Sequence, residues 1–332
     1  MGINLDTTIG KIRLKNPVLV ASGTFGYAKE FEALIDLRKL GGIVTKTLTL
    51  KPRLGNPPPR IVETPSGMLN AIGLQNVGIP GFIKDKLPYL ASLKIPIIAS
   101  VMGCTVEEFV DCVKTLDPCE GIDGFELNLS CPNVAYGAVL PGDTLVPRVS
   151  PGSTAPGPLT SSARMFAHDA SMIEQVVSAT RKATQKTLIA KLGPDVSDIG
   201  EMAVAAEKAG ADAVSLINTF VAMMIDVKTR RPVLANKTGG LSGPCVRPVA
   251  VRMVWEAAKA VKIPVIGMGG IMNAQDALEF LIAGASAIQV GTANFTNPQA
   301  SMEILKGLED FMKREKVNEL RNLIGSINDQ SR

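Results

Sequence analysis

Eight short runs rich in apolar and β-branched residues recur along the chain: Val18–Gly23, Gly42–Leu48, Ile95–Val101, Gly124–Ser130, Thr187–Gly193, Ala213–Thr219, Val265–Gly270 and Ala287–Thr292. Segments of helical period lie between most of them, among them Val106–Thr115, Ser171–Thr184, Asp198–Ala209, Val246–Ala260 and Ala274–Ala283. Strands apolar on both faces and separated by helices imply a parallel sheet covered on its outer side. Eight such units closing on themselves predict an α/β fold, the (β/α)8 TIM barrel, and 332 residues suit a single domain of that kind. An open doubly wound sheet is the alternative. Eight repeats, and no Gly-x-Gly-x-x-Gly directly after a strand, weigh against it.

Three segments fall outside the eight units. Ile3–Leu14 alternates through a turn at Gly10 and reads as a small hairpin plugging the barrel bottom. Pro52–Asn76 is rich in Pro and Gly and follows the second run. Val134–His168 is a run of Gly, Pro, Ser and Thr that follows the fourth. Long loops in compact domains are usually functional or disordered. Both leave strand C-termini, the face where barrel active sites lie, so Val134–His168 is expected to act as a lid.

Composition narrows the class. The chain is 46% hydrophobic and 20% charged, which is ordinary for a globular protein. A formal charge of +4, spread along the sequence, argues against nucleic-acid binding as the main activity. Met1–Asp6 lacks the basic-then-apolar pattern of a secretory signal, and no run approaches the ~18 apolar residues of a membrane helix. The five cysteines include no Cys-x-x-Cys pair, so a disulfide scaffold, a zinc site and an iron–sulfur site in this chain are not expected. A reducing cytoplasm fits.

The residues at the ends of the runs are polar or small: Ala21-Ser22-Gly23, Lys46-Thr47, Ser100, Asn128 through Asn133, Lys191, Asn218-Thr219, Gly269-Gly270 and Gly291-Thr292. Converging on one rim, they make a ligand site. The pairs Gly269-Gly270 and Gly291-Thr292 follow the seventh and eighth runs, where barrels often bind phosphate through backbone N–H groups. A plain turn would explain either pair alone; two at the expected places favour phosphate, with Gly243 as a further donor. Lys46 and Lys191 close nearly apolar runs and require an anionic partner if buried. Asn70, Asn128, Asn133 and Asn218 can each donate and accept, as an imide- or amide-bearing ligand requires.

Cys131 is the most pointed residue, leaving the fourth run between Asn128 and Asn133. A thiol there can be a nucleophile or a general base. His168 stands at the far end of the long loop and reads better as an exposed loop residue than as half of a Cys–His dyad. The other four cysteines read as inert packing residues.

Several motifs together carry a resemblance. Lys46-Thr47-Leu48-Thr49, Pro52 through Arg60, Glu63-Thr64-Pro65, Asn70 through Asn76 and Asn128 through Asn133 resemble the dihydroorotate dehydrogenases, nearly end to end. Cysteine at the base position resembles the soluble class 1. The Asn70–Asn76 motif looks like the catalytic subunit of the NAD-linked subtype 1B. The resemblance implies an FMN held by Ala21, Ser22, Lys46, Thr47, Ser100, Asn128, Lys191, Ile217, Gly243, Gly269, Gly270, Gly291 and Thr292. It implies a substrate held by Lys46, by Asn70, Ala71, Ile72, Gly73 and Leu74, and by Asn128, Asn133, Asn218 and Thr219. Cys131 would be the base. A separate electron-transfer subunit carrying FAD and a [2Fe-2S] cluster is implied too, docked on a homodimer of this chain in a heterotetramer. Val134–His168 departs from the family pattern by its length. A flavin barrel acting on another dihydropyrimidine, and a non-catalytic barrel binding a phosphate ligand, are the competing readings.

Overall fold

The computed structural model describes residues 2–130 and 166–328. Eight parallel strands close a barrel in chain order: β1 (Val18–Val20), β2 (Gly42–Val44), β3 (Ile97–Val101), β4 (Gly124–Asn128), β5 (Thr187–Lys191), β6 (Ala213–Leu216), β7 (Val265–Met268) and β8 (Ala287–Val290). Every residue in them is buried, which is why the runs read as continuously apolar. Helices Val106–Leu116, Ala170–Arg181, Ile199–Lys208, Arg247–Ala260 and Ala274–Ala283 cover the outside. Four begin where a cap is available: the side chains of Thr105, Asp169, Asp198 and Asn273 each accept a first-turn N–H. Helices Gly78–Asp85 and Leu87–Ser92 precede β3, and Ala300–Arg314 packs against Ala274–Ala283. Between β1 and β2 only the 3-10 turns Lys29–Phe31 and Leu37–Lys39 occur.

The N-terminal hairpin pairs Thr7–Ile9 with Ile12–Leu14. Its Ile9, Ile12 and Leu14 join Leu19, Val44, Ile98, Ile189, Ala213, Ile266 and Ala287 in one buried cluster, sealing one end of the barrel. Each isoleucine, leucine or valine side chain removed from water there contributes about 1.5–3 kcal/mol. The opposite end stays open.

The strands differ from expectation at that open end. All but β3, which ends at Val101 as expected, stop two to four residues before the expected limit, because the polar and glycine residues leave the ladder: Gly23 (φ 87°), Gly269 (φ 127°) and Gly270 (φ 77°) take left-handed conformations that no strand continues. Pro52–Asn76 is a second correction. It contains the hairpin Ile61–Thr64 and Gly67–Asn70, which joins Thr238–Ser242 and Phe220–Met223 in a four-stranded antiparallel sheet over the rim. Leu69, Ala71 and Leu234, with Val62, Ala222 and Leu241, pack one face of that sheet. The pairing partners lie some 170 residues away, as Asn70 opposite Gly240 illustrates, so no local pattern announces them.

His168 is a third. It ends the 3-10 turn Phe166–His168 and is half-buried rather than exposed. Phe166 anchors that turn, edge-on to Phe109 with centroids 5.7 Å apart, and the Ala167 N–H donates to the Leu129 carbonyl. The rest of Val134–His168, like Cys131 and Asn133, lies outside the described residues.

Candidate active site

The open end of the barrel holds a cavity of about 400 Å³ roofed by the four-stranded sheet. That volume suits a bound small molecule. Ala21, Ser22, Lys46 and Thr47 line it from β1 and β2, Asn128 and Lys191 from β4 and β5, and Ile217, Asn218 and Thr219 from β6. Gly269, Gly270, Gly291 and Thr292 enclose the β7–β8 side, while Asn70, Ile72, Gly73 and Leu74 descend from the sheet. Residues spread over most of the sequence therefore meet at one place.

Three expected residues lie just off the wall. Ser100 is fully buried behind Thr47, Ala71 turns into the apolar cluster of the sheet, and Gly243 stands behind Gly270. Their contributions run through neighbours or backbone.

A hydrogen-bonded chain crosses the floor. Thr47 Oγ1 lies 2.9 Å from Ser22 Oγ and 3.0 Å from Ser100 Oγ, and accepts from Asn128 Nδ2 at 3.3 Å. Asn128 Oδ1 accepts from Asn218 Nδ2 at 3.1 Å, and that amide also donates to Ser130 O and Oγ, both at 3.0 Å. Asn218 Oδ1 accepts the Thr219 N–H at 2.9 Å. The amides are thus fixed in orientation before a ligand arrives, which lowers the cost of binding. On the roof, Asn70 Nδ2 donates to the Gly240 carbonyl at 3.4 Å. A Cβ at position 240 would stand 2.1 Å from Thr219 Oγ1, so glycine there lets roof and rim close together.

The β7–β8 side is lined by glycine backbone. Gly270 and Gly243 (φ 104°) press together: a Cβ on Gly270 would meet the Gly243 carbonyl at 2.7 Å. The N–H groups of Gly243, Gly270, Gly291 and Thr292 meet no acceptor among the described residues. N–H groups gathered beside the seventh and eighth strand ends are donors of the kind an anionic group can use. Thr292 Oγ1 donates to Ser242 Oγ at 2.9 Å, tying the last turn to the roof.

Two ammonium groups face this space. Lys191 is 5% exposed and Lys46 is half-buried, and neither ammonium has a hydrogen bond or ion pair among the described residues. Burial pushes the Lys46 pKa down, the Arg60 cation pushes it further, and the Glu30 carboxylate partly opposes both. Burying a cation is costly unless a negative charge comes near, and an anionic ligand in the cavity would supply one.

The sequence reading assigned no role to Arg60, Gln75 or Gln289, all of which line the cavity. Arg60 Nη2 donates to Gln75 Oε1 at 2.5 Å and Nη1 to the Asn56 carbonyl at 3.2 Å. Both Arg60 and Gln75 lie inside the motifs quoted above, but nothing local shows which way they face. Gln289 had a legible signal: it is the one polar residue of Ala287–Val290.

Known proteins resemble this chain over nearly its whole length. The family model described as dihydroorotate dehydrogenase matches residues 4–148 and 156–312. The catalytic subunit of dihydroorotate dehydrogenase B (NAD(+)) from Trichlorobacter lovleyi is 53% identical over 323 residues, covering 97% of this chain and 98% of that protein. The proteins of the same name from Geotalea uraniireducens and Geobacter metallireducens are 49% and 50% identical, each over 98% of both chains. With the family model matching most of the chain and relatives about half identical over nearly its whole length, the chain belongs to the dihydroorotate dehydrogenase family.

Proposed function

We propose that the chain oxidises dihydroorotate to orotate in pyrimidine biosynthesis, using FMN, and passes the electrons to a separate subunit. The observation that carries the reading is the pair of cations, Lys46 and Lys191, sharing one cavity with a row of unpaired backbone N–H groups. Both ligands are anions, so each feature acquires a partner. The family is flavin-dependent, and the donors fit a phosphorylated flavin.

The reaction removes a proton from the carbon beside a ring carbonyl and a hydride from the neighbouring carbon. Bound FMN supplies the hydride acceptor. Cys131, next in the chain after the buried Ser130, takes the proton as base. Lys46 pairs with the substrate carboxylate. Asn70, Asn128, Asn133 and Asn218 hold the imide edges of the ring, with backbone from Ala71 to Leu74 and Thr219 closing the site. Lys191 would supply a cation to the flavin as it gains negative charge, and Gly243, Gly269, Gly270, Gly291 and Thr292 would hold the phosphate. Ala21, Ser22, Thr47, Ser100 and Ile217 complete the cofactor site.

The relatives are named catalytic subunits of NAD(+)-linked enzymes, which implies a partner subunit. We read that partner as the carrier of FAD and a [2Fe-2S] cluster, bound to a homodimer of this chain. The setting is the cytoplasm; no helix among the described residues is long and apolar enough to cross a membrane. The purified chain should reduce an artificial dye with dihydroorotate, but not with dihydrouracil or dihydrothymine, which lack the carboxylate. It should give almost no NADH until the partner is added. Equal turnover of dihydrouracil would remove Lys46 from substrate recognition, and brisk NAD reduction by the lone chain would remove the partner. Efficient use of fumarate would point to a partner-free enzyme.

A further inference from the structure

Strand β4 places Gly124, Glu126 and Asn128 on one face, since strand side chains alternate. Asn128 lines the cavity, so Glu126 points into the barrel interior one level below it. Bulky apolar residues usually fill that interior. Glu126 is instead a carboxyl group at 0% exposure. One oxygen, Oε2, accepts from Gln289 Nε2 at 2.8 Å and from Ser215 Oγ at 3.0 Å; the other, Oε1, has no partner among the described residues. No ion pair reaches it there. Gln289, also at 0% exposure, lines the cavity, and its own Oε1 is unpartnered.

Burying a carboxylate this way is unfavourable, and a well-packed apolar group of the same size is commonly as stable or more so. Stability alone therefore does not explain Glu126. Its surroundings do. Lys191 stands opposite Asn128 on the neighbouring strand, one inward position above Glu126, and brings its ammonium to the same cavity floor. Glu126 thus sits one side chain away from the cavity, reaching it through Gln289 and lying diagonally below Lys191.

We propose that Glu126 is a positioning residue that holds a negative charge beneath the flavin site, orients the Gln289 amide, offsets Lys191 and so keeps the flavin reduction potential low. The inference rests on the flavin reading above. Donating its Nε2–H to Glu126 fixes Gln289 with its carbonyl oxygen free to accept. Reduction adds negative charge to the ring system. In a low-dielectric interior, a nearby carboxylate opposes that addition much as Lys191 favours it. A low potential makes the reduced flavin a ready donor, which suits a chain whose relatives carry NAD(+) in their names.

Glu126→Gln keeps the shape and an acceptor for Ser215 and Gln289 while removing the charge. The purified variant should be yellow, and its flavin midpoint, measured by photoreduction against a reference dye, should move to a more positive value. A shift favouring the reduced form at least about tenfold corresponds to about 30 mV for a two-electron couple. Should Glu126→Gln fail to fold, Glu126→Met fills the space without charge and should shift the midpoint in the same direction. A merely structural role would lower the melting temperature and leave the midpoint where it was, and that outcome would overturn the proposal. A colourless parent chain, by contrast, would remove the flavin reading itself.

Discussion

Replacing Cys131 by alanine is expected to leave flavin binding intact while slowing flavin reduction by dihydroorotate about 10²–10⁴-fold, the usual worth of a positioned acid–base group. The expectation follows from its place in the chain. Ser130, the residue before it, is 2% exposed, and its carbonyl and hydroxyl both accept from Asn218 at the rim. Of the remaining cysteines, Cys112 is buried and its thiol pKa is pushed up to about 12, chiefly by burial, while Cys104 is raised by burial and by Glu108. Neither would be a thiolate near neutral pH. Anaerobic stopped-flow on Cys131→Ala separates the steps. Reduction at the parent rate would take Cys131 out of the reaction.

Lys46→Met should affect binding and stability in opposite directions. Losing one charge-assisted contact to the carboxylate weakens orotate binding by about 1.5–3 kcal/mol, or about 10–100-fold. The same change should raise the melting temperature of the ligand-free chain near neutral pH. In the folded chain Lys46 gives up its proton at lower pH than the ordinary 10.5, so the unfolded chain binds more protons between the two values. Burying the ammonium therefore costs stability below the depressed value, and stability rises with pH through that window. Orotate affinity runs the other way, falling as Lys46 deprotonates, with its midpoint below 10.5. Calorimetric titration of orotate across alkaline pH, with melting curves beside it, measures both. Undiminished affinity in Lys46→Met would place the carboxylate elsewhere.

Much of the barrel is readable from local pattern because its strands are buried on both faces and its helices carry caps and an apolar stripe. The plug reads equally well, since Ile9, Ile12 and Leu14 alternate around Gly10. The roof sheet does not, because Ile61–Thr64 and Gly67–Asn70 are stabilised by strands from beyond β6. Strand-end polarity brings most of the cavity wall into view. Side-chain direction does not follow from it, which is why Ser100 and Ala71 fall behind the surface and Arg60 and Gln75 come onto it. The inward polar layer of Glu126, Ser215 and Gln289 is legible only once register shows that the three point into one space.

The most direct measurement is anaerobic addition of dihydroorotate to the purified chain while its visible spectrum is followed. A yellow protein whose flavin absorbance bleaches, with orotate formed in equal amount to the flavin reduced, is the predicted result. A flavin-loaded chain whose absorbance stays unchanged with dihydroorotate, while another donor bleaches it, would contradict the assigned reaction.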